Sequence, residues 1–201
     1  YCIREKDTFS FIRCGRYKDR PAHADNLHLD IWYQGENYLF DGGSYKYNTT
    51  EKLLRYFMGT ESHNTIMLEG HDQMLKGDRF IWYNWSQAEW SSLKETEDTY
   101  IFEGKVSCFT YLNKEIKHSR KIVKWKNTCK WEIEDCIDGN PKNMNMRQLW
   151  HTNKDNLSLE SNGETVDTEQ LCSNYYGQTT KCRQIEFQTK NSSIKTILQF
   201  I

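Results

Sequence analysis

Histidine and aspartate are concentrated in one segment of this 201-residue sequence. The segment between residues 23 and 78 holds four of the six histidines and five aspartates: His23, Asp25, His28, Asp30, Asp41, His63, His71, Asp72 and Asp78. Neutral imidazoles and carboxylates are the ligands that zinc and other divalent metals take from proteins. The composition of the segment therefore makes a metal site possible.

The local spacing of these side chains does not by itself choose the ligands. Neither an HxH nor an HExxH motif occurs in the sequence. His23 and His28 are five residues apart, so on one continuous strand they would face opposite ways. The site, if present, must be assembled from separate segments that the fold brings together.

The segments that would position these residues alternate with a period of two. Residues 27–33 alternate in this way, and one face carries Leu27, Leu29, Ile31 and Tyr33. The other face would carry His28, Asp30 and Trp32. A turn at residues 35–37 and a returning strand at 38–40 follow. This pattern is typical of a half-buried antiparallel strand pair.

The same reading extends along the chain and predicts an all-β protein. Further short strands are predicted at 65–68, 100–106, 121–126, 130–137, 148–152, 157–160, 183–188 and 194–201, with 121–137 forming a hairpin. Their number and spacing favour an antiparallel β-sandwich of two or more stacked sheets, as a single domain over residues 1–201. One helix is predicted after residue 50, because residues 48–51 resemble a capping box and Leu53, Leu54 and Phe57 would share a face.

Composition excludes several classes of protein. No run approaches the roughly 20 apolar residues of a membrane span. With 27 Lys+Arg against 28 Asp+Glu, the net charge of −1 gives no overall attraction to nucleic acid or to anionic membranes. Aromatic residues make up 14% of the sequence. They can build a core or line a sugar-binding cleft, and composition does not separate the two.

The seven cysteines are an odd number and include no CxxC pair. We therefore predict free thiols, mostly buried, which points to a reducing compartment such as the cytoplasm. Cys172 and Cys182 are close enough in sequence to close a small loop.

Several spaced motifs resemble the C-terminal half of the heparinase II/III family of bacterial polysaccharide lyases, and most closely its heparinase III-like branch. In order, they are His23-Ala24-Asp25, Gly35, Asp41-Gly42-Gly43-Ser44-Tyr45, His63-Asn64-Thr65 and Asp72-Gln73. Residues 118–123, 131–135 and 149–151 resemble the later strands of the family. The resemblance covers about residues 18–152.

The resemblance implies a larger enzyme of which this chain is the β-sandwich. In the family, an N-terminal α/α toroid carries the catalytic Tyr and the groups that neutralise the substrate carboxylate. The substrate would be a uronate-containing acidic polysaccharide, such as a heparan-sulfate-like glycan, which is cleaved by β-elimination. The chain alone would then have little activity, and the family favours the periplasm or cell envelope as its location.

The resemblance also implies site residues. His23, Asp41 and His63 would hold zinc or another divalent metal in a structural role, and His23 could instead face the sugar as an acid/base group. Some members carry a second histidine two residues earlier, where this chain has Pro21. One residue cannot fill both roles. Asp25 could orient the His23 ring through its second nitrogen.

Each of these residues also has an ordinary structural reading. His63, Asn64 and Asp41 could simply stabilise turns. We expect His28 to be packed or solvated, and His71, His118 and His151 to be structural. Arg55, Lys76 and Arg79 could attract a polyanion or merely face water, and Trp82 and Trp85 could stack on sugars or pack in the core. A non-catalytic carbohydrate-binding or structural sandwich is the competing hypothesis.

Overall fold

The computed structural model describes residues 1–140 and 143–200, and its sixteen strands are numbered in chain order. A six-stranded antiparallel sheet has the order β13-β16-β11-β10-β9-β8. Its strands are β8 (Gln87–Glu95), β9 (Thr99–Ser107), β10 (Lys117–Trp125), β11 (Lys130–Asp138), β13 (Leu157–Ser161) and β16 (Ser193–Phe200).

Two four-stranded antiparallel sheets lie on one face of the six-stranded sheet. The first has the order β1-β2-β3-β4, with β1 (Cys2–Arg4), β2 (Thr8–Ile12), β3 (Leu29–Tyr33) and β4 (Glu36–Leu39). The second has the order β14-β15-β12-β5, with β5 (Ile66–Leu68), β12 (Met146–Thr152), β14 (Glu164–Cys172) and β15 (Thr180–Thr189). A hydrogen bond of 3.2 Å from the Phe40 amide to the His151 carbonyl joins their edges.

One hydrophobic core joins all three sheets, so the predicted β-sandwich is confirmed. Alternate residues of β10, β11 and β16 point inward, and the others form the outer face. The indole of Trp131 on β11 is fully buried and donates to the Ser10 hydroxyl of β2 at 2.9 Å. The period-two pattern in the sequence thus marks the inward face of each layer.

The hairpin predicted at residues 121–137 is β10 and β11. The strand predicted to begin at Leu27 begins two residues later, at Leu29. Leu27 adopts a positive φ of 60°, and the His28 amide bonds to the Asp25 carbonyl, so residues 25–28 form a turn instead. The strand predicted at 194–201 is β16, and residue 201 lies outside the described residues.

Strands β1, β2, β6 (Leu75–Lys76), β7 (Trp82–Tyr83), β8 and β14 were not predicted from the sequence. β14 reads Glu-Thr-Val-Asp-Thr-Glu-Gln-Leu-Cys and forms one edge of its sheet. Only Cys172 of its nine residues is buried, so the strand lacks an apolar alternation. Its hydrogen bonds to β15 stabilise it where side-chain burial does not.

The predicted helix is α1 (Glu51–Met58), which begins after the N-cap residue Thr50. The Thr50 hydroxyl accepts a 3.4 Å hydrogen bond from the Leu53 amide. Leu54 and Phe57 are buried, as the pattern predicted, whereas Leu53 is half-buried. None of the helices in the described part of the chain has the length and apolar character needed to cross a membrane.

All seven cysteines are free thiols. The prediction that most of them are buried is wrong, because only Cys108, Cys172 and Cys182 are. Cys172 lies opposite Thr180, and Cys182 lies opposite Gln170, so the two thiols are diagonal neighbours on one face of the β14–β15 pair.

A buried ionic cluster lies between the layers. The Arg120 guanidinium contacts both carboxylate oxygens of Asp135, at 2.7 and 2.8 Å, and all of these atoms are shielded from solvent. His118 Nε2 lies 2.6 Å from Asp135, and the Gln148 amide donates to it at 2.7 Å. Burial alone would raise the pKa of Asp135, but the charge of Arg120 and the His118 hydrogen bond hold that pKa well below its usual range.

We expect Asp135→Asn to lower the free energy of unfolding at pH 7 by about 3–5 kcal/mol, because it leaves the Arg120 charge buried without its counter-charge. The folded-state pKa of Asp135 is depressed, so its stabilising contribution is present above the unfolded pKa of about 3.9 and is lost as the pH falls. The variant should therefore lose stability less steeply in acid. Urea unfolding measured across this pH range tests both effects. Asp138→Asn, on the exposed end of the same strand, is the matched control and should change stability by less than about 1 kcal/mol.

Candidate functional site

The predicted site residues meet where the two four-stranded sheets join. We call His23, Asp25, His28, Asp41 and His63 the histidine cluster. His23, Asp25 and His28 come from the segment before β3, Asp41 from the loop after β4 and His63 from the loop before β5. These three segments are separated in sequence, so the fold and not local spacing assembles the cluster.

The Asn64 side chain ties these segments together. Its amide nitrogen donates to the carbonyls of Leu29 at 2.9 Å and Phe40 at 3.1 Å. Its oxygen accepts from the backbone amide of His151 at 2.8 Å. One fully buried side chain therefore connects β3, the end of β4 and β12 beneath the cluster.

His63 forms an ion pair with Asp41. Its Nδ1 lies 2.9 Å from the Asp41 carboxylate, and the ring is fully buried. Burial alone would lower the pKa of His63, but the charge of Asp41 and their hydrogen bond raise it above its ordinary value. The same pairing outweighs burial at Asp41 and holds the pKa of that carboxyl far below its usual range. The other ring nitrogen, Nε2, is buried and has no hydrogen-bond partner within the described residues.

The tautomer of His28 is set by the backbone. Its Nδ1 lies 2.9 Å from the Asn64 amide, which can only donate, so this nitrogen carries the lone pair. A neutral ring must then hold its proton on Nε2, which lies 3.9 Å from the Asp41 carboxylate. His28 is packed, 2% exposed, and in this tautomer Nε2 offers a metal no lone pair.

His23 is the member of the cluster that reaches a cavity. The cavity has a volume of about 400 Å³, and its lining includes His23, Ser44 and Tyr47. His23 Nε2 lies 3.4 Å from the Ser44 hydroxyl. Burial, with a smaller effect from the neighbouring His63, lowers the pKa of His23 to about 4. At neutral pH its imidazole is therefore uncharged and able to accept a proton.

Asp25 has partners other than the His23 ring. It forms an ion pair with Arg13, whose Nε lies 2.7 Å away, and accepts a hydrogen bond from the Tyr17 hydroxyl at 3.0 Å. Tyr17 also donates to the His23 carbonyl, at 3.3 Å. These contacts fix the backbone of the loop that carries His23.

The histidine cluster contains two sets of three possible metal ligands. Each set has its ligand atoms within 4.8 Å of one another: His23, Asp25 and His63 in one, and His28, Asp41 and His63 in the other. The predicted trio of His23, Asp41 and His63 is divided between them. Because Asp41 engages Nδ1 of His63, the nitrogen left for a metal is the unpartnered Nε2.

The loop that carries Asp41 is held tightly. The Gly43 amide donates to the Asp41 side chain at 2.7 Å, and the Ser173 amide at the end of β14 donates to the Gly42 carbonyl at 2.8 Å. Gly43 has a φ of +83°, and a Cβ there would lie 2.1 Å from the Ser173 carbonyl oxygen. Only glycine fits this contact.

Several side chains singled out in the sequence serve the structure. Trp82 is 2% exposed and donates to the Ala22 carbonyl at 3.0 Å, which supports the loop beside His23. His118 belongs to the ionic cluster, and His151 is buried against Asn64 and Gln184. Arg55 pairs with Glu51 within α1.

Sequence reasoning missed the residues that surround the cavity. Its lining includes Arg20 and Phe80 as well as Tyr47, and Tyr176 contacts Tyr47. The available signal was the run of aromatics after Asp41, but Phe80 and Tyr176 lie far away in sequence. Asn64 stood in a recognised motif, and only the fold reveals that it joins three strands.

Comparison with known proteins decides the family. The chain matches the family model described as "Heparinase II/III-like, C-terminal" over residues 1–197. The chain belongs to this family. Among curated proteins, no sequence match was found.

Solved structures of similar fold include two named heparinase III and one named heparan sulfate lyase. Heparinase III, the BT4657 gene product, is 17% identical with a TM-score of 0.78, over 96% of this chain and 33% of its own. Heparan sulfate lyase HepC from Pedobacter heparinus is 15% identical with a TM-score of 0.77, over 97% and 33%. A further heparinase III is 14% identical with a TM-score of 0.73, over 96% and 33%. This chain therefore spans about a third of the length of these proteins.

We expect Asn64→Asp to destabilise the fold by about 3 kcal/mol or more, because it places a carboxylate against the carbonyls of Leu29 and Phe40. Thermal unfolding followed by circular dichroism measures the change. Asn191→Asp makes the same substitution at an exposed position and should have little effect. Equal stability of the two variants would contradict the role given to Asn64.

Proposed function

We propose that this chain is the sandwich domain of a polysaccharide lyase that cleaves a uronate-containing glycan by β-elimination. The observation that carries the proposal is His23, whose uncharged imidazole lies at a cavity in a heparinase II/III-like fold. One protein of similar fold, HepC, is a heparan sulfate lyase by name. A related acidic polysaccharide would suit the same chemistry.

The reaction needs a base, an acid and a group that neutralises the substrate carboxylate. The base removes the proton on the carbon beside that carboxylate, the bond from the next carbon to the glycosidic oxygen breaks, and a double bond forms between the two carbons. The departing oxygen receives a proton. A neutral imidazole can take one proton and return another, so His23 can serve either transfer. We assign the catalytic Tyr and the neutralising group to an α/α toroid domain of the same enzyme.

His23→Ala in the enzyme that includes the toroid should lower the rate of unsaturated product formation by at least about a hundredfold, the scale of acid/base catalysis. Product absorbance in the near ultraviolet measures the rate. His71→Ala, outside the cluster, is the control and should retain activity. The 201-residue chain alone should show little turnover.

Unchanged turnover in His23→Ala would favour the competing function, a carbohydrate-binding or structural sandwich. Strong turnover by the chain alone would contradict the assignment of catalytic groups to the toroid. An upstream reading frame that encodes no toroid would contradict it as well.

We further propose that the histidine cluster holds zinc or another divalent metal. The unpartnered, buried Nε2 of His63 supports this proposal, because a metal would satisfy it. His23 and His63, with a carboxylate from Asp41 or Asp25, would be the ligands. Because one residue cannot fill both roles, a His23 that holds the metal would leave the proton transfers to the toroid. A bound cation would supply a fixed positive charge that rigidifies the cleft wall. In the alternative with Asp25, Asp41 would orient the His63 ring from its other side.

Metal content of the purified chain, prepared without chelators and measured by mass spectrometry, tests this proposal. We expect about one equivalent in the native chain and none in His63→Ala. Asp41→Asn and Asp25→Asn identify the carboxylate ligand, because the larger loss of metal marks the ligand and the smaller loss marks the partner. A metal-free native chain, still metal-free after incubation with zinc and dialysis, would refute the site.

A further inference from the structure

We propose that Tyr47, Tyr176 and Phe80, together with Arg20, form a subsite that holds one acidic pyranose ring of a glycan beside His23. The choice of glycan rests on the proposed function. The site itself rests on an aromatic wall and a cation that the lyase chemistry does not require. Of the two predicted stacking residues, Trp82 is buried and Trp85 is half-buried against the small core that contains Trp82.

The wall consists of three rings, and Tyr47 contacts each of the other two. The Tyr47 ring meets Phe80 edge to face, with centroids 5.5 Å apart, and Tyr176 at 5.9 Å. Tyr47 and Tyr176 are each 68% exposed. Aromatic side chains usually bury their rings. Two adjacent tyrosines left this open offer flat apolar surface to a ligand, and the C–H face of a pyranose is a surface of that shape.

The wall adjoins the cavity that His23 reaches. Tyr176 contacts Tyr47, and Tyr47, Phe80, Arg20 and His23 line the cavity. Its volume of about 400 Å³ lies at the small end of the range of ligand pockets, about 300–1,000 Å³. One sugar ring, with part of its neighbour, fits this volume. A ring held there would place its linkage next to His23.

Arg20 favours an acidic sugar. Its guanidinium lies 6.0 Å from the centroid of the Phe80 ring. Within residues 1–140 and 143–200, no carboxylate lies in ion-pair distance of it. It is therefore available to a carboxylate or sulfate, which a guanidinium binds through two parallel hydrogen bonds. Lys46 adds positive charge on the loop that carries Tyr47, where its ammonium group lies over the Tyr45 ring.

The wall is held in position before any ligand binds. The Tyr47 amide donates to the Tyr176 hydroxyl at 3.4 Å, and the Gly177 amide donates to the Tyr45 carbonyl at 3.0 Å. These bonds join the loop after Asp41 to the loop between β14 and β15. Because the two loops are already connected, binding orders few additional side chains.

Binding of a heparan-sulfate-derived tetrasaccharide to the 201-residue chain tests the subsite, with affinity measured by NMR titration. We expect Tyr47→Ala and Tyr176→Ala each to weaken binding by at least about tenfold, and Tyr47→Phe, which keeps the ring, by less than about twofold. Arg20→Gln should weaken binding of this acidic probe. Cellotetraose, which is neutral, should bind the native chain more weakly than the acidic probe, and Arg20→Gln should leave its affinity unchanged.

Trp90→Ala is the matched control, because this exposed aromatic lies on β8, away from the cavity. Native affinity in both alanine variants, or no saturable binding by the native chain, would overturn the subsite. Phe80 packs against a small core and is left unchanged to preserve folding. The two proposals fail separately. Loss of binding in Tyr47→Ala with full turnover in His23→Ala would retain the subsite and refute the catalytic role of His23.

Discussion

The pairing of Arg120 with Asp135 is the interaction on which the site depends. Asp135 accepts two hydrogen bonds from the Arg120 guanidinium and fixes it between the layers. The remaining guanidinium nitrogen, Nη1 of Arg120, donates to the carbonyls of Leu27 and Asn64 at 2.6 and 2.7 Å. Those two carbonyls adjoin His28 and His63. A charge buried in the six-stranded sheet thus holds two loops of the facing layer in register. Apolar packing alone has no such directional preference.

The sequence predicted the architecture more completely than it predicted the site. Alternation was enough for β10 and β11, because every second residue there is buried between layers. It failed for β14, an edge strand with almost no buried residues, and at Leu27, whose positive φ cannot be read from an apolar side chain. The family resemblance assigned His23, Asp41 and His63 to one site; His63 lies beside each of the other two, but His23 and Asp41 belong to different sets of three possible ligands. The hydrogen-bond partners of each of these side chains come from segments distant in sequence. The periodicity of the sequence does not predict such contacts.

The three histidines of the cluster differ in protonation and in tautomer because different groups contact their ring nitrogens. The backbone amide of Asn64 leaves His28 a lone pair on one side and a proton on the other. The carboxylate of Asp41 favours the charged form of His63. His23 has only a long contact to a hydroxyl, so burial dominates and the ring stays neutral. Three identical side chains in one cluster are thereby suited to packing, to ion pairing or ligation, and to proton transfer.

The close contact between Gly43 and Ser173 has a consequence for how this domain can diversify. The β14–β15 hairpin abuts the loop that carries Asp41, with no space between them for even a methyl group. Changes in the length or path of that hairpin would therefore displace Asp41, and with it the His63 ring. An insertion there cannot alter the cavity rim while leaving the interior untouched. Homologues that exchange this hairpin must exchange the Asp41 loop with it, so the two segments should be inherited as one module.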